Sequence, residues 1–165
     1  MRFADFQAQL QRGLLHSGQR LSEGPSFDDP GQLPALILAY VGDAVFSLHV
    51  RTAMLSVEAN RVQVLHTLLA KMASAPLQSQ ALHCIEESLT EQEKAVVRRG
   101  RNAKSRVPRN ASISEYRSST ALEALLGYLY LSRQHERLDQ LLEQVVAFMC
   151  RTLTSEAEGG PQTCR

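Results

Sequence analysis

Tryptophan is missing from this 165-residue chain, and aromatic residues as a whole make up only 5% of it. A row of aromatic platforms on which single-stranded bases could stack is therefore not available. Cysteine is nearly as scarce. Cys84, Cys150 and Cys164 lack any zinc-type spacing, and three is the wrong number for a disulfide framework. Such thiols fit a reducing compartment. The net charge is only +1, so any affinity for a polyanion must come from local clustering. The opening "MRFADFQAQLQ" has no apolar core of the signal-peptide kind. No run comes near the roughly 18 apolar residues that cross a bilayer. The expectation is a cytoplasmic protein with no membrane segment, a plastid location staying open where a transit peptide has been removed.

What the chain does have is helical periodicity. Phe3, Phe6, Leu10, Leu14 and Leu15 recur at helical spacing and predict a short amphipathic helix, followed by the Pro- and Gly-containing loop "SEGPSFDDPGQLP". Pro34 suits the first turn of a helix running to about Thr52. Further helices are predicted over about Val57–Met72 and from Pro76. The "TEQE" stretch makes Thr90 and Glu93 a capping box that opens a helix to about Gly100. "RNAKSRVPRNAS" reads as a loop. A helix rises again near Thr120, with Ser118 and Ser119 expected as caps, and a last one ends at about Arg151. No segment alternates as strands do. The prediction is an all-α chain of about seven helices: an N-terminal extension over 1–33, one domain over 34–151, and a loose tail over 152–165.

Two carboxylates stand out on apolar helices. Asp43 lies in "LAYVGDAVF", too far from either helix end to cap it, with Ala39, Tyr40, Phe46 and Ser47 as its helical neighbours. Burial of at least half the side chain is expected, which calls for a cation or a metal as partner. A wet-side Asp, or one paired to an arginine such as Arg117, is the plainer alternative. Gly42 beside it costs about 1 kcal/mol against alanine in a helix, and its bare backbone allows close approach. Glu123, in "TALEALLGYLYL", sits among Leu122, Leu125 and Leu126. Thr120 and Glu123 also have capping-box spacing, and spacing alone does not choose between a cap and a ligand. Two such carboxylates on separate helices could share a magnesium ion, completed by water and phosphate oxygens.

Between Lys94 and Glu115 no acidic residue occurs, while Arg98, Arg99, Arg101, Lys104, Arg106 and Arg109 crowd together. A solvated, merely solubilising loop is one reading. Phosphate contacts to a duplex, held by shape and charge, are the other. His16, His49, His66, His83 and His135 form no HExxH-type pair, which argues against zinc. Tyr128 and Tyr130 are expected in packing or self-association.

In combination and in this order, "LAYVGDAVF", "RRGRNAK" and "YRSSTALEALLGYLYLS" resemble the ribonuclease III catalytic domain, and specifically its short Mini branch, which carries no double-stranded-RNA-binding domain. The resemblance spans about Pro34 to Leu142. It implies an all-helical homodimer that cleaves double-stranded RNA with Mg2+, trimming the precursor of large-subunit (23S) ribosomal RNA, with a ribosomal protein as a conceivable helper. Asp43 and Glu123 are then the catalytic metal ligands, with Gly42 leaving room near the scissile phosphate. The chain departs from ordinary ribonuclease III at Leu36 and Ala39, where glutamates stand in the wider family, and at Thr120, where the second element has aspartate. The Mini branch is similar in this thinner acidic set. The rival from another class is a catalytically silent duplex-RNA-binding dimer acting in ribosome assembly. Whether Asp43 and Glu123 converge in space separates the two.

Overall fold

Helix α5 (Ile113–Leu131) is the axis of the molecule, and its sequence explains why. Its apolar residues run nearly all the way round, and such a helix has to be enclosed on every side. Ser119–Leu122 and Ala124–Leu129 are all buried. In this computed structural model, which describes residues 29–103 and 112–158, four of the five other helices pack on it, and the fifth, over Val62–Met72, packs on two of those four. The five are α1 (Ala35–Met54), α2 (Val62–Met72), α3 (Ala75–Ile85), α4 (Glu91–Asn102) and α6 (His135–Glu158), with 3-10 turns at Pro30–Gln32 and Glu86–Ser88. No strand occurs among the described residues. The all-α expectation holds with six α-helices, and the helix expected near Phe3 lies outside the described residues.

Three glycines set how closely the helices meet α5. A Cβ on Gly42 of α1 would fall 1.8 Å from the Glu123 carbonyl oxygen, and one on Gly127 of α5 would fall 1.9 Å from that of Leu38. A Cβ on Gly100 of α4 would lie 2.6 Å from the Cα of Ala121. Backbone therefore rests on backbone at both crossings. The core spreads outward from there through Phe46, Leu82, Ile85, Leu141 and Met149, all at 2% exposure or less.

Polar locks hold the frame at its ends. Thr90 caps α4 in the predicted box: its Oγ1 accepts from the Glu93 amide at 3.3 Å, and its own amide donates to Glu93 Oε2 at 2.8 Å. The same glutamate, only 3% exposed, accepts from Arg137 Nε at 2.8 Å and from its second guanidinium nitrogen at 2.9 Å. Burial alone would push this carboxyl up, but the hydrogen bonds from Arg137 and Thr90 outweigh it and hold the pKa below the usual range.

Four boundaries differ from expectation. Helix α2 starts at Val62, not near Val57, where the Glu58 carboxylate accepts from the amides of Asn60 and Arg61 at 2.9 and 3.2 Å and favours a turn. Helix α5 starts at Ile113, not near Thr120, so Ser119 and Thr120 are mid-helix; both hydroxyls donate to the Tyr116 carbonyl, at 2.9 and 3.0 Å, and cap nothing. Arg101 and Asn102 belong to α4 and not to a loop. Helix α6 continues past Arg151 to Glu158, because Leu153 still packs on the core, so the first part of the supposed tail is helical.

Candidate active site

The crossing of α1 and α5 brings together the two carboxylates singled out by sequence. Gly42 lies against the backbone of Glu123, and Asp43 follows it directly on α1. The bare backbone at Gly42 is filled by α5 and not by a ligand, which corrects the expectation that it leaves room for a phosphate. Asp43 itself is exposed, where at least half burial was expected. The reason is that α1 is apolar on two sides. Its inner stripe (Leu38, Ala39, Gly42, Phe46, Val50) faces the core, and Asp43 stands at the edge of that stripe, towards the open side. No ion pair joins Asp43 to Arg117 among the described residues.

Glu123 is half-buried and its electrostatics carry the mark of the pairing. Burial pushes its carboxyl up, and the nearby Asp43 charge adds to this, so the pKa rises from 4.5 to about 7. A weak opposing pull comes from the amide of Gln78 on α3. That amide is 1% exposed, and its Nε2 makes no hydrogen bond of acceptable geometry to any group. It lies beside the carboxyl without being bonded to it. Sequence reasoning passed over Gln78, although its spacing from Ala81, Leu82 and Ile85 places it on the inward face of α3.

This donor set suits a hard divalent cation. Two carboxylates come from adjoining helix faces, and among the described residues no ion pair neutralises either of them. No group of three or more His, Cys, Asp or Glu side chains comes together among the described residues. Protein ligation is therefore thin, of the kind magnesium tolerates because it keeps several waters and takes phosphate oxygens from its substrate. The cap reading of Thr120 and Glu123 is removed by the start of α5 at Ile113.

The basic cluster is split. Arg98 and Arg99 are exposed on α4, but the Arg99 guanidinium donates to the carbonyls of Gly31 and Leu33. Arg101 forms a forked pair with Glu86, at 2.7 and 3.1 Å. Lys104, Arg106 and Arg109 lie outside the described residues. Beside the site, α1 exposes a second apolar stripe: Ile37 at 50%, Tyr40 at 80% and Leu48 at 64%. This stripe, with its length and composition, also makes α1 the one described helix apolar enough to cross a membrane, yet its inner stripe is committed to the core. Leu125 and Leu129, beside Glu123 on α5, are fully buried and add nothing to this exposed surface.

Residues 36–134 match the Ribonuclease III domain family. Among curated relatives, the Mini-ribonuclease 3 of Symbiobacterium thermophilum is 45% identical over 124 residues, which is 74% of this chain and 95% of that protein. That of Thermoanaerobacter sp. is 44% identical, covering 67% of this chain and 79% of the relative. That of Clostridium tetani is 36% identical, covering 84% and 93%. A protein of Fusobacterium nucleatum solved by X-ray crystallography superposes with a TM-score of 0.66 at 28% identity, covering 70% of this chain and 95% of its own.

Proposed function

We propose that this chain, which belongs to the ribonuclease III family, hydrolyses double-stranded RNA at the Asp43–Glu123 crossing with a divalent metal ion, magnesium, held by those two carboxylates. The endoribonuclease activity on duplex RNA goes with the family. The metal, the ribosomal substrate and the assembly are the proposed refinements. The reading of the site rests on Gly42 of α1 lying against the backbone of Glu123 on α5, with Asp43 next along α1 and its charge adding to burial in raising the Glu123 carboxyl. A silent RNA-binding protein has no need to keep two unneutralised carboxylates so close, since repulsion of this kind only destabilises it.

When bound, such an ion supplies activated water and neutralises charge that develops on the phosphate. The chain's own part is positional. Gly42 and Gly127 fix the distance between α1 and α5, so Asp43 and Glu123 are presented from rigid helices and not from loops. Water oxygen adds to phosphorus, the P–O3′ bond breaks, and the products are a 5′-phosphate and a 3′-hydroxyl. Arg98, with Lys104, Arg106 and Arg109, supplies phosphate contacts that hold the duplex without reading sequence. Arg99 and Arg101 serve first to pin the Gly31–Leu33 segment and Glu86.

The active species is proposed to be a homodimer in the cytoplasm. The second apolar stripe of α1, with the adjoining groove of about 500 Å³ against Tyr130 and Leu138 of α5 and α6, is the surface for a second copy. A two-fold pair offers one carboxylate cluster to each antiparallel strand. The substrate is a stem of the large-subunit ribosomal RNA precursor, with a bound ribosomal protein as helper. The test is cleavage of that stem, and of its separated strands, in Mg2+ and in EDTA, with both cut sites mapped and the mass measured by light scattering. Staggered, Mg2+-dependent cuts in the duplex alone, by a species of twice 18.3 kDa, are expected. Duplex binding with no cleavage in any divalent ion would favour the silent binder.

A further inference from the structure

A buried polar donor with no partner is rare in a folded chain and calls for an explanation. Among the described residues, two side-chain atoms fall in this class: Gln78 Nε2 and Ser132 Oγ. Ser132 closes α5 at a helix end, where a water is an ordinary partner. Gln78 has no such excuse. It is 1% exposed, fixed on α3 by its backbone bond to the Ser74 carbonyl at 3.0 Å, and flanked by buried Leu77, Ala81 and Leu82. Apolar residues would fill that position at no cost in unmet hydrogen bonds. What the amide faces is the carboxyl of Glu123.

We propose that Gln78 is a positioning residue for Glu123: its side-chain amide donates from Nε2 to the Glu123 carboxylate when that carboxylate is engaged as a metal ligand. The inference rests on the metal-dependent endoribonuclease proposed above and deepens it. A carboxylate has more lone pairs than a single metal bond uses, and an outer donor on one of them fixes which oxygen turns to the metal. Gln78 is well placed for this because α3 packs directly on α5, so the donor and the ligand belong to one rigid unit. In a site with only two carboxylates, orientation of each one matters more than in a site with four.

The test uses the full chain with Gln78→Met, which keeps length and loses the donor, and Gln78→Leu as a second apolar variant should the first not fold. Mn2+ is titrated calorimetrically into the RNA-free protein, melting is followed without metal, and cleavage of a duplex is split into kcat and KM. The expected result is a loss in metal affinity and in kcat of about 10- to 100-fold, the usual effect of removing an outer-shell partner. KM and duplex affinity in Ca2+ should be unchanged, and the metal-free melting temperature should be no lower than in the parent. A variant that binds Mn2+ and cuts like the parent overturns the inference alone. A variant that melts well below the parent also overturns it, since Gln78 would then be a packing residue. A parent chain that neither binds Mn2+ nor cuts would bring down the proposed function and this inference together.

Discussion

Replacing Glu123 by glutamine should stabilise the metal-free protein while removing its activity. Burial, reinforced by the Asp43 charge, raises the Glu123 carboxyl from 4.5 to about 7. Because the folded pKa lies above the unfolded one, the folded chain holds its proton to higher pH. The contribution of Glu123 is thus most favourable below pH 4.5 and is lost as pH rises through about 7. At 1.36 kcal/mol per pH unit, the gap amounts to about 3 kcal/mol of penalty once both states are ionised. Glutamine never ionises and so avoids this penalty. In EDTA at pH 8, Glu123→Gln should gain up to about 3 kcal/mol in denaturant unfolding, on the order of 10 °C in melting temperature for a domain of this size. At pH 5, where the folded parent is mostly protonated, the advantage should shrink below about 1 kcal/mol. Saturating Mg2+ should narrow the difference at pH 8 from the other side, since binding at about 100 times Kd stabilises the parent by about 2.7 kcal/mol. A variant equally stable to the parent at pH 8, or one whose advantage is the same at pH 5, would refute the account of a strained carboxylate pair.

Three other perturbations follow from the packing and the charges. Gly42→Ala puts a methyl 1.8 Å from a backbone oxygen that has no rotamer to yield with, so α1 and α5 must part, at a cost of about 3 kcal/mol read from urea midpoints. Arg137→Ala leaves Glu93 buried at 3% exposure without its cation and should cost about 3–5 kcal/mol at pH 7, with the loss shrinking in acid as Glu93 is protonated. Leu48→Glu, on the exposed stripe of α1, should leave the fold intact and shift the light-scattering mass from dimer to monomer; an unchanged dimer would move the interface elsewhere.

The sequence made the two carboxylates and most helices legible because these are local signals. Apolar spacing at 3.6 residues placed α3, α4 and α6, and the Thr90–Glu93 box was readable to the residue. What it hid depends on partners far away in the chain. Gly42 looked like a gap for a ligand because its real neighbours, Glu123 and Gly127, belong to another helix. Asp43 looked buried because α1 is apolar on two sides, and spacing does not tell which stripe meets the chain's own core. The start of α5 was missed because "SISEYRSS" is rich in serine, which competes with the helix backbone, and only the enclosing helices tip the balance. Gln78 went unnoticed since a glutamine on an inward face is not a known motif. It becomes conspicuous only when its Nε2 is found buried and unmatched.

The central claim, that Asp43 and Glu123 form a metal-dependent catalytic pair, is tested most directly by Asp43→Asn. The change keeps the size of an exposed side chain and removes only its charge, which relieves the pressure on Glu123 and so does not endanger the fold. One measurement on one preparation is sufficient: cleavage of an end-labelled RNA duplex in Mg2+, with binding of the same duplex followed in Ca2+. The account predicts that Asp43→Asn binds the duplex as the parent does and does not cut it. Cutting at the parental rate would contradict it and remove the site from the α1–α5 crossing.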